Sequence, residues 1–180
     1  MPQNSSINRC GLYEGLMQKA LALLSKRKYT VLGMKKKLVL FYEKKIEKGE
    51  FPPTTKPEMN AEIRKVLDRL KELNYLNDTQ YSKDYISDRV EFHPRGKFLI
   101  KRELRTKGIH PELIEKIVDE EYEDESDAAF QALEKRMKRL ASLPKGEQKE
   151  KAMRFLASRG FKIDTIYKVI NNWYDGVEIR

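Results

Sequence analysis

Apolar residues recur along this chain at intervals of three and four, the spacing that places them on one side of an α-helix. Leu12, Leu16, Ala20, Leu23 and Leu24 draw a first stripe. Ser25 to Lys28 breaks it, and Thr30 is placed to cap a second helix that carries Val31, Leu32, Met34, Leu38 and Phe41. Gly49 to Pro57 holds three of the seven prolines and reads as a loop. Ile63, Val66, Leu67, Leu70 and Leu73 mark a third helix from about Glu58 to Leu73. Asn77–Asp78 is an N-cap signal that opens the next helix, with Tyr81, Tyr85, Ile86 and Val90 on one side, and His93–Pro94–Arg95–Gly96 ends it. Lys97 to Lys107 and His110 to about Tyr122 are predicted as two further helices. Ala129, Leu133, Met137 and Leu140 face inward from another, and Leu143 to Gly146 reads as its closing turn. No alternation of strand type is long enough to matter.

One stretch occurs twice. Leu104 to Val118 reads LRTKGIHPELIEKIV, and fifty-two positions later Leu156 to Ile170 reads LASRGFKIDTIYKVI. Leucine falls on leucine, Lys107 on Arg159, Gly108 on Gly160, Ile114 on Ile166 and Lys116 on Lys168. Such a match marks an internal repeat built from one supersecondary unit. Its physics is helix, glycine turn, helix. Gly108 can take the left-handed conformation that closes a helix. Pro111 and Asp164 suit the first turn of the next. Aligning Leu38 with Leu104 places Met34 on Ile100 and Lys36 on Arg102, so the first three helices form a divergent copy in which the glycine turn is not reproduced.

The expected architecture is all-α: three tandem three-helix repeats forming an elongated array. The repeats span residues 10–75 (with a proline-rich insertion at 49–57), 76–122 and 123–175. Residues 1–9 are expected to be disordered and residues 176–180 to form a frayed tail. A charged share of 36% against 39% hydrophobic suits an array in which each unit buries only an inner stripe.

Charge narrows the class of partner. Net charge is +9, which favours an acidic one, such as nucleic acid, an anionic surface or an acidic protein groove. One cysteine, Cys10, precludes an internal disulfide framework, and the reading is a cytoplasmic protein. No apolar run approaches the ~18 residues of a membrane span, and MPQNSSINRC lacks the apolar core of a signal peptide.

Little points to catalysis. His93 and His110 each adjoin a proline in an expected turn, without a second ligand at metal-binding spacing. No histidine is evidently placed to activate Cys10. The glycines form neither a Walker nor a dinucleotide pattern. No cofactor or metal is expected, and the chain reads as a non-enzyme. The run Glu112 to Asp127 holds nine acidic side chains against one lysine and reads as a solvated helix end and linker.

Basic residues are the better candidates. Lys97, Lys101 and Arg105 share one helix face. Lys36, Arg102 and Arg154 occupy the same position in the three copies, and Lys107 is matched by Arg159. Lys135, Arg136, Lys138 and Arg139 form a further cluster, and between residues 135 and 162 ten Lys or Arg face two Glu. Together they suggest a basic edge built from Lys36, Lys97, Lys101, Arg102, Arg105, Lys107, Lys135, Arg136, Arg139, Arg154 and Arg159. Tyr81, Tyr85, Phe98, Phe161 and Trp173 are assigned mostly to the core.

Leu73 to Asp78, Gly96, Glu103–Leu104, Lys107–Gly108–Ile109 and Arg159–Gly160–Phe161, in that order and spacing, resemble the RecX family of recombinase regulators. The resemblance covers roughly residues 10 to 175 and departs from it at the Pro52–Pro57 insertion. It implies a bacterial, cytoplasmic regulator that binds the RecA recombinase, especially its filament on single-stranded DNA, and modulates it, most often by inhibition, in DNA repair and SOS control. The alternative is a helical module, read as a monomer like the first, that binds single- or double-stranded DNA without a recombinase.

Overall fold

A computed structural model describes the backbone of residues 5–176 and the side chains of residues 11–176. The tail Val177–Arg180, the first four residues and the side chain of Cys10 lie outside the described residues. Among those described there are nine helices and no strand. They are α1 (Ser5–Leu24), α2 (Val31–Glu47), α3 (Lys56–Glu72), α4 (Asp78–Glu91), α5 (Lys97–Thr106), α6 (Pro111–Glu121), α7 (Ser126–Leu140), α8 (Lys145–Ser158) and α9 (Ile163–Asp175). The all-α tandem array expected from the periodicity is what the chain forms. Helix α1 begins at Ser5, inside the stretch expected to be disordered. Lys145 and Gly146, expected in a turn, form the first residues of α8, because Pro144 supplies a fixed extended N-cap and the helix starts directly after it.

The chain divides into two compact units, one ending at Tyr81 and one beginning at Ser82. In the first, α1, α2 and α3 pack on one another around Leu16, Met34, Leu38, Ile63, Val66 and Leu70, all fully buried. Thr30 caps α2 by accepting the N–H of Gly33 at 3.0 Å. Helix α2 has 17 residues where its counterpart α5 has 10. The extra seven make about two turns, so the apolar face returns nearly to register. The glycine turn expected to be missing from this repeat is present at the end of those turns. Lys48 is right-handed and Gly49 has φ +70°, as Gly108 and Gly160 have +83° and +81°.

The proline-rich insertion is anchored rather than loose. Phe51 meets Phe41 edge to face with ring centroids 5.9 Å apart, and it lies 5.6 Å from Tyr42. The Tyr42 hydroxyl is hydrogen-bonded to Thr54. Thr55 and Glu58 then form a capping box that starts α3, with a proline in its first turn.

In the second unit, helices of the second and third repeats share one core. Ile86, Ile100, Leu104, Ile114, Ile117 and Val118 bury their side chains together with Leu133, Leu156, Ile166 and Ile170. Where α5 begins, the backbones interlock. The N–H of Gly96 donates to the carbonyl of Arg159 at 2.9 Å. A methyl group on Gly96 would overlap the carbonyl of Gly160, and one on Gly160 would lie 2.6 Å from the Leu99 nitrogen. This close approach requires glycine on both sides.

Candidate functional site

The acidic run between α6 and α7 is not uniformly solvated. Glu125 is only 3% exposed, and its carboxylate spans two helix starts. One oxygen accepts the N–H of Lys97, the first residue of α5, at 2.9 Å, and the other accepts the N–H of Lys162, the N-cap of α9, at 2.6 Å. Unpaired amides at helix N-termini and the positive end of the helix dipole both favour an anion there. Beside it, the buried Tyr122 hydroxyl donates to the Arg95 carbonyl at 3.1 Å. Burial pushes that phenol well above its ordinary pKa, with help from Glu125 and Asp124. These bonds hold the α4–α5 turn against α7 and α9.

The same turn is fixed from its other side by Glu103. Its carboxylate accepts the Tyr85 hydroxyl at 2.6 Å, forms an ion pair with Arg95 and lies 3.5 Å from Arg89 Nε. The guanidinium of Arg89 stacks over the Tyr85 ring at 4.4 Å, and the ammonium of Lys107 approaches that ring at 4.9 Å. Burial, then the neighbouring Arg89, lowers the pKa of Arg95.

Held in this way, the turn forms one wall of a basic cleft of about 190 Å³. Phe92 and His93 stand on the turn side, Lys135, Arg136 and Arg139 on α7, Phe155 on α8 and Arg159 at its C-cap. The guanidinium carbons of Arg136 and Arg159 lie 5.4 and 5.1 Å from the centre of the Phe155 ring, so one aromatic floor carries two cations. Among the described residues none of the four cations forms an ion pair, and Arg136 Nε is buried without a hydrogen-bond partner. Unpaired guanidinium forks in a concave site are suited to phosphate or carboxylate oxygens.

The remaining basic candidates are distributed differently. Arg102 and Arg105 are exposed on α5 and form no ion pair with a described residue, and Lys36 is exposed on α2. Arg154 is exposed on α8 and pairs with Glu150. Lys97 is partly buried at the start of α5. Lys101, on the same helix, bridges to Glu115 and to Asp119 at 3.4 Å. Burial is the largest single influence on Lys101 and pulls its pKa down, but the two carboxylates outweigh it and the net shift is upward.

Sequence reasoning missed Arg89, Arg95, Phe92 and Phe155. Phe155 and Arg159 do stand four residues apart on one helix, a spacing that signals a stacked pair. Phe98, assigned to the core from its spacing, is 69% exposed, because it follows the N1 residue of a ten-residue helix whose buried side is filled by Ile100 and Leu104. Phe161, by contrast, is buried, and Trp173 packs against Phe130 at 5.7 Å.

His93 Nδ1 lies 3.6 Å from Asp88, and His110 Nδ1 lies 3.9 Å from Glu112, both at the surface. Among the described residues no three His, Cys, Asp or Glu converge as metal ligands, and no helix is long and apolar enough to cross a membrane.

Known proteins match this arrangement at the level of domains, whole chains and folds. Residues 77–117 match the second three-helix domain of RecX, and residues 123–170 match its third. A regulatory protein RecX of Neisseria meningitidis is 29% identical over 168 residues, covering 91% of this chain and 97% of that protein. One from Clostridium perfringens is 35% identical over 119 residues, which is 55% of its length. The crystal structure of RecX from Lactobacillus salivarius superposes with a TM-score of 0.70 at 20% identity, covering 91% of this chain and 97% of that one, and so shares the fold. A regulatory protein RecX of Legionella pneumophila is 32% identical over 151 residues, covering 83% of this chain and 89% of that protein, and on this match the chain belongs to the RecX family of regulatory proteins.

Proposed function

We propose that the protein binds the RecA recombinase, in its filament on single-stranded DNA, and limits strand exchange and the associated ATP hydrolysis, as a non-catalytic regulator acting in the cytoplasm during DNA repair and the SOS response. The supporting observation is the exposure of one basic position in the second helix of all three repeats, Lys36 on α2, Arg102 on α5 and Arg154 on α8. A repeat protein that offers the same cation once per module is suited to a partner that is itself a repeating polymer. Each contact is weak alone, but every one after the first forms at high effective concentration. Acidic grooves between recombinase subunits would make encounter fast and sensitive to salt.

The test is a titration of the purified chain into its cognate recombinase, with DNA in excess, following DNA-dependent ATP hydrolysis and strand exchange. Inhibition at protein levels far below those of DNA is the expected result. Loss of all inhibition when DNA is raised further would show that the chain only competes for DNA. The double variant Arg102→Ala/Arg105→Ala should inhibit less well while keeping its helicity by circular dichroism.

A further inference from the structure

We infer that the cleft between the α4–α5 turn, α7 and α8 is a binding site for single-stranded nucleic acid, with phosphates held by Lys135, Arg136, Arg139 and Arg159 and an unpaired base stacked on Phe92. The inference does not rest on a recombinase partner.

Charge supplies the first part of the case. Four cations from two helices line one concavity, and none of them forms an ion pair with a described residue. Elsewhere on the second unit several bases, exposed or half-buried, do have carboxylate partners: Lys83 with Glu121, Lys101 with Glu115, Lys138 with Glu134, Lys151 with Glu147 and Arg154 with Glu150. Lys138 and Arg139 are adjacent on α7, yet only the one turned toward Glu134 is paired. The cleft therefore keeps its positive charge uncompensated, and Arg136 keeps a buried Nε–H without an acceptor. An oxyanion entering the cleft would supply the missing counter-charge, first at the exposed Lys135 and Arg139.

The aromatic groups narrow the class of ligand. Phe155 forms a floor already covered by two guanidiniums. Phe92 stands at the rim and is 62% exposed, a large apolar ring held in water by a turn that Glu125, Tyr122 and Glu103 fix. A carboxylate side chain would satisfy the guanidiniums and leave that ring bare. A nucleotide uses both, its phosphate on the cations and its base on the ring. A base paired in duplex has no free face for Phe92, and a cleft of about 190 Å³ admits a single unit of a strand rather than a double helix.

The experiment uses the full chain with no recombinase present, so that its failure leaves the recombinase reading untouched. Fluorescence anisotropy follows binding to a labelled oligodeoxythymidylate between roughly 50 and 200 mM salt, a range over which phosphate contacts show as a slope of about −0.7 each. Lys135→Gln/Arg139→Gln removes two exposed cations and should flatten that slope by about 1.4. Phe92→Ala should weaken binding roughly tenfold and leave the slope unchanged, the mark of lost stacking. Both variants alter exposed side chains, and circular dichroism checks that they remain folded. The inference is overturned if neither variant changes affinity. Duplex bound as tightly as single strand would overturn it as well. So would equal competition by deoxythymidine monophosphate, which would assign the cleft to free nucleotides, or by polyglutamate at matched charge, which would assign it to acidic protein segments.

Discussion

Glu125 accepts the backbone N–H of Lys97 at 2.9 Å, although the two residues belong to different repeats. The first unit contains the same relationship, where Asp78 accepts the N–H of Val31, also at 2.9 Å. In both cases a carboxylate at the start of one repeat's first helix caps the second helix of the repeat before it. Consecutive repeats are thus linked by side-chain caps, and the second and third also share an apolar core.

Removing the Glu125 carboxylate should therefore cost more than a surface acid can. Glu125→Ala strands two part-buried N–H groups, each worth about 1–3 kcal/mol when left unpaired, so a loss of about 2 kcal/mol is expected in urea unfolding. Glu125→Gln keeps one acceptor oxygen and should lose about half of that. The exposed neighbour Glu123 serves as the control, since Glu123→Ala should stay within about 0.5 kcal/mol of the parent. Equal stabilities for the two alanine variants would show that the cap is dispensable.

Gly49, Gly96 and Gly160 should separate by surroundings rather than by conformation alone. Gly49 has φ +70° and open space around it, so Gly49→Ala should cost only the left-handed backbone penalty of about 1–2 kcal/mol. Gly160→Ala adds to that penalty an overlap with the backbone of Leu99. Gly96 sits at an ordinary φ of −73°, and Gly96→Ala should fail on sterics alone against Gly160. Thermal unfolding should rank Gly49→Ala well above the other two.

How much of this could be read beforehand depends on range. Helix number and inward faces followed from periodicity, because Leu38, Leu104 and Leu156 are each fully buried at the spacing that predicts it. The turns at Gly108 and Gly160 were legible because a repeated glycine after a helix has one cheap explanation. Gly49 was not, since two added turns of α2 move it away from its repeat partners. Glu125 could not be told from the eight other acids around it, because its burial depends on the arrival of α5 and α9. The cleft was half legible: its cations formed a cluster in sequence, but Phe92 reaches them only through the folded turn.

Lys101 and Arg102 are adjacent in sequence and should give opposite phenotypes. Lys101 is partly buried and tied to Glu115 and Asp119, so Lys101→Ala should lower stability by up to about 1 kcal/mol. Arg102 is exposed and forms no ion pair with a described residue, so Arg102→Ala should unfold like the parent. In a filament-binding assay the order should reverse, with Arg102→Glu slowing association and reducing its dependence on salt. An Arg102→Glu variant that associates at the parent rate at low salt would remove α5 from the interface.

Asp78 makes a pH prediction whose sign differs from that of a paired surface carboxylate. Burial raises its pKa above the ordinary 3.8, and the hydrogen bond from Val31 only partly opposes the rise. The folded state therefore holds this proton more tightly than the unfolded chain does. Stability from this group is present below pH 3.8 and is lost as pH climbs through the higher folded value. Asp78→Asn retains a side-chain oxygen for the Val31 amide and has no charge to bury. The difference in unfolding free energy, variant minus parent, should grow more positive as pH rises from below the ordinary aspartate pKa into the weakly acidic range, and then level off. Parallel curves for the two proteins, measured by urea unfolding across that range, would mean that Asp78 is as well solvated when folded as when unfolded.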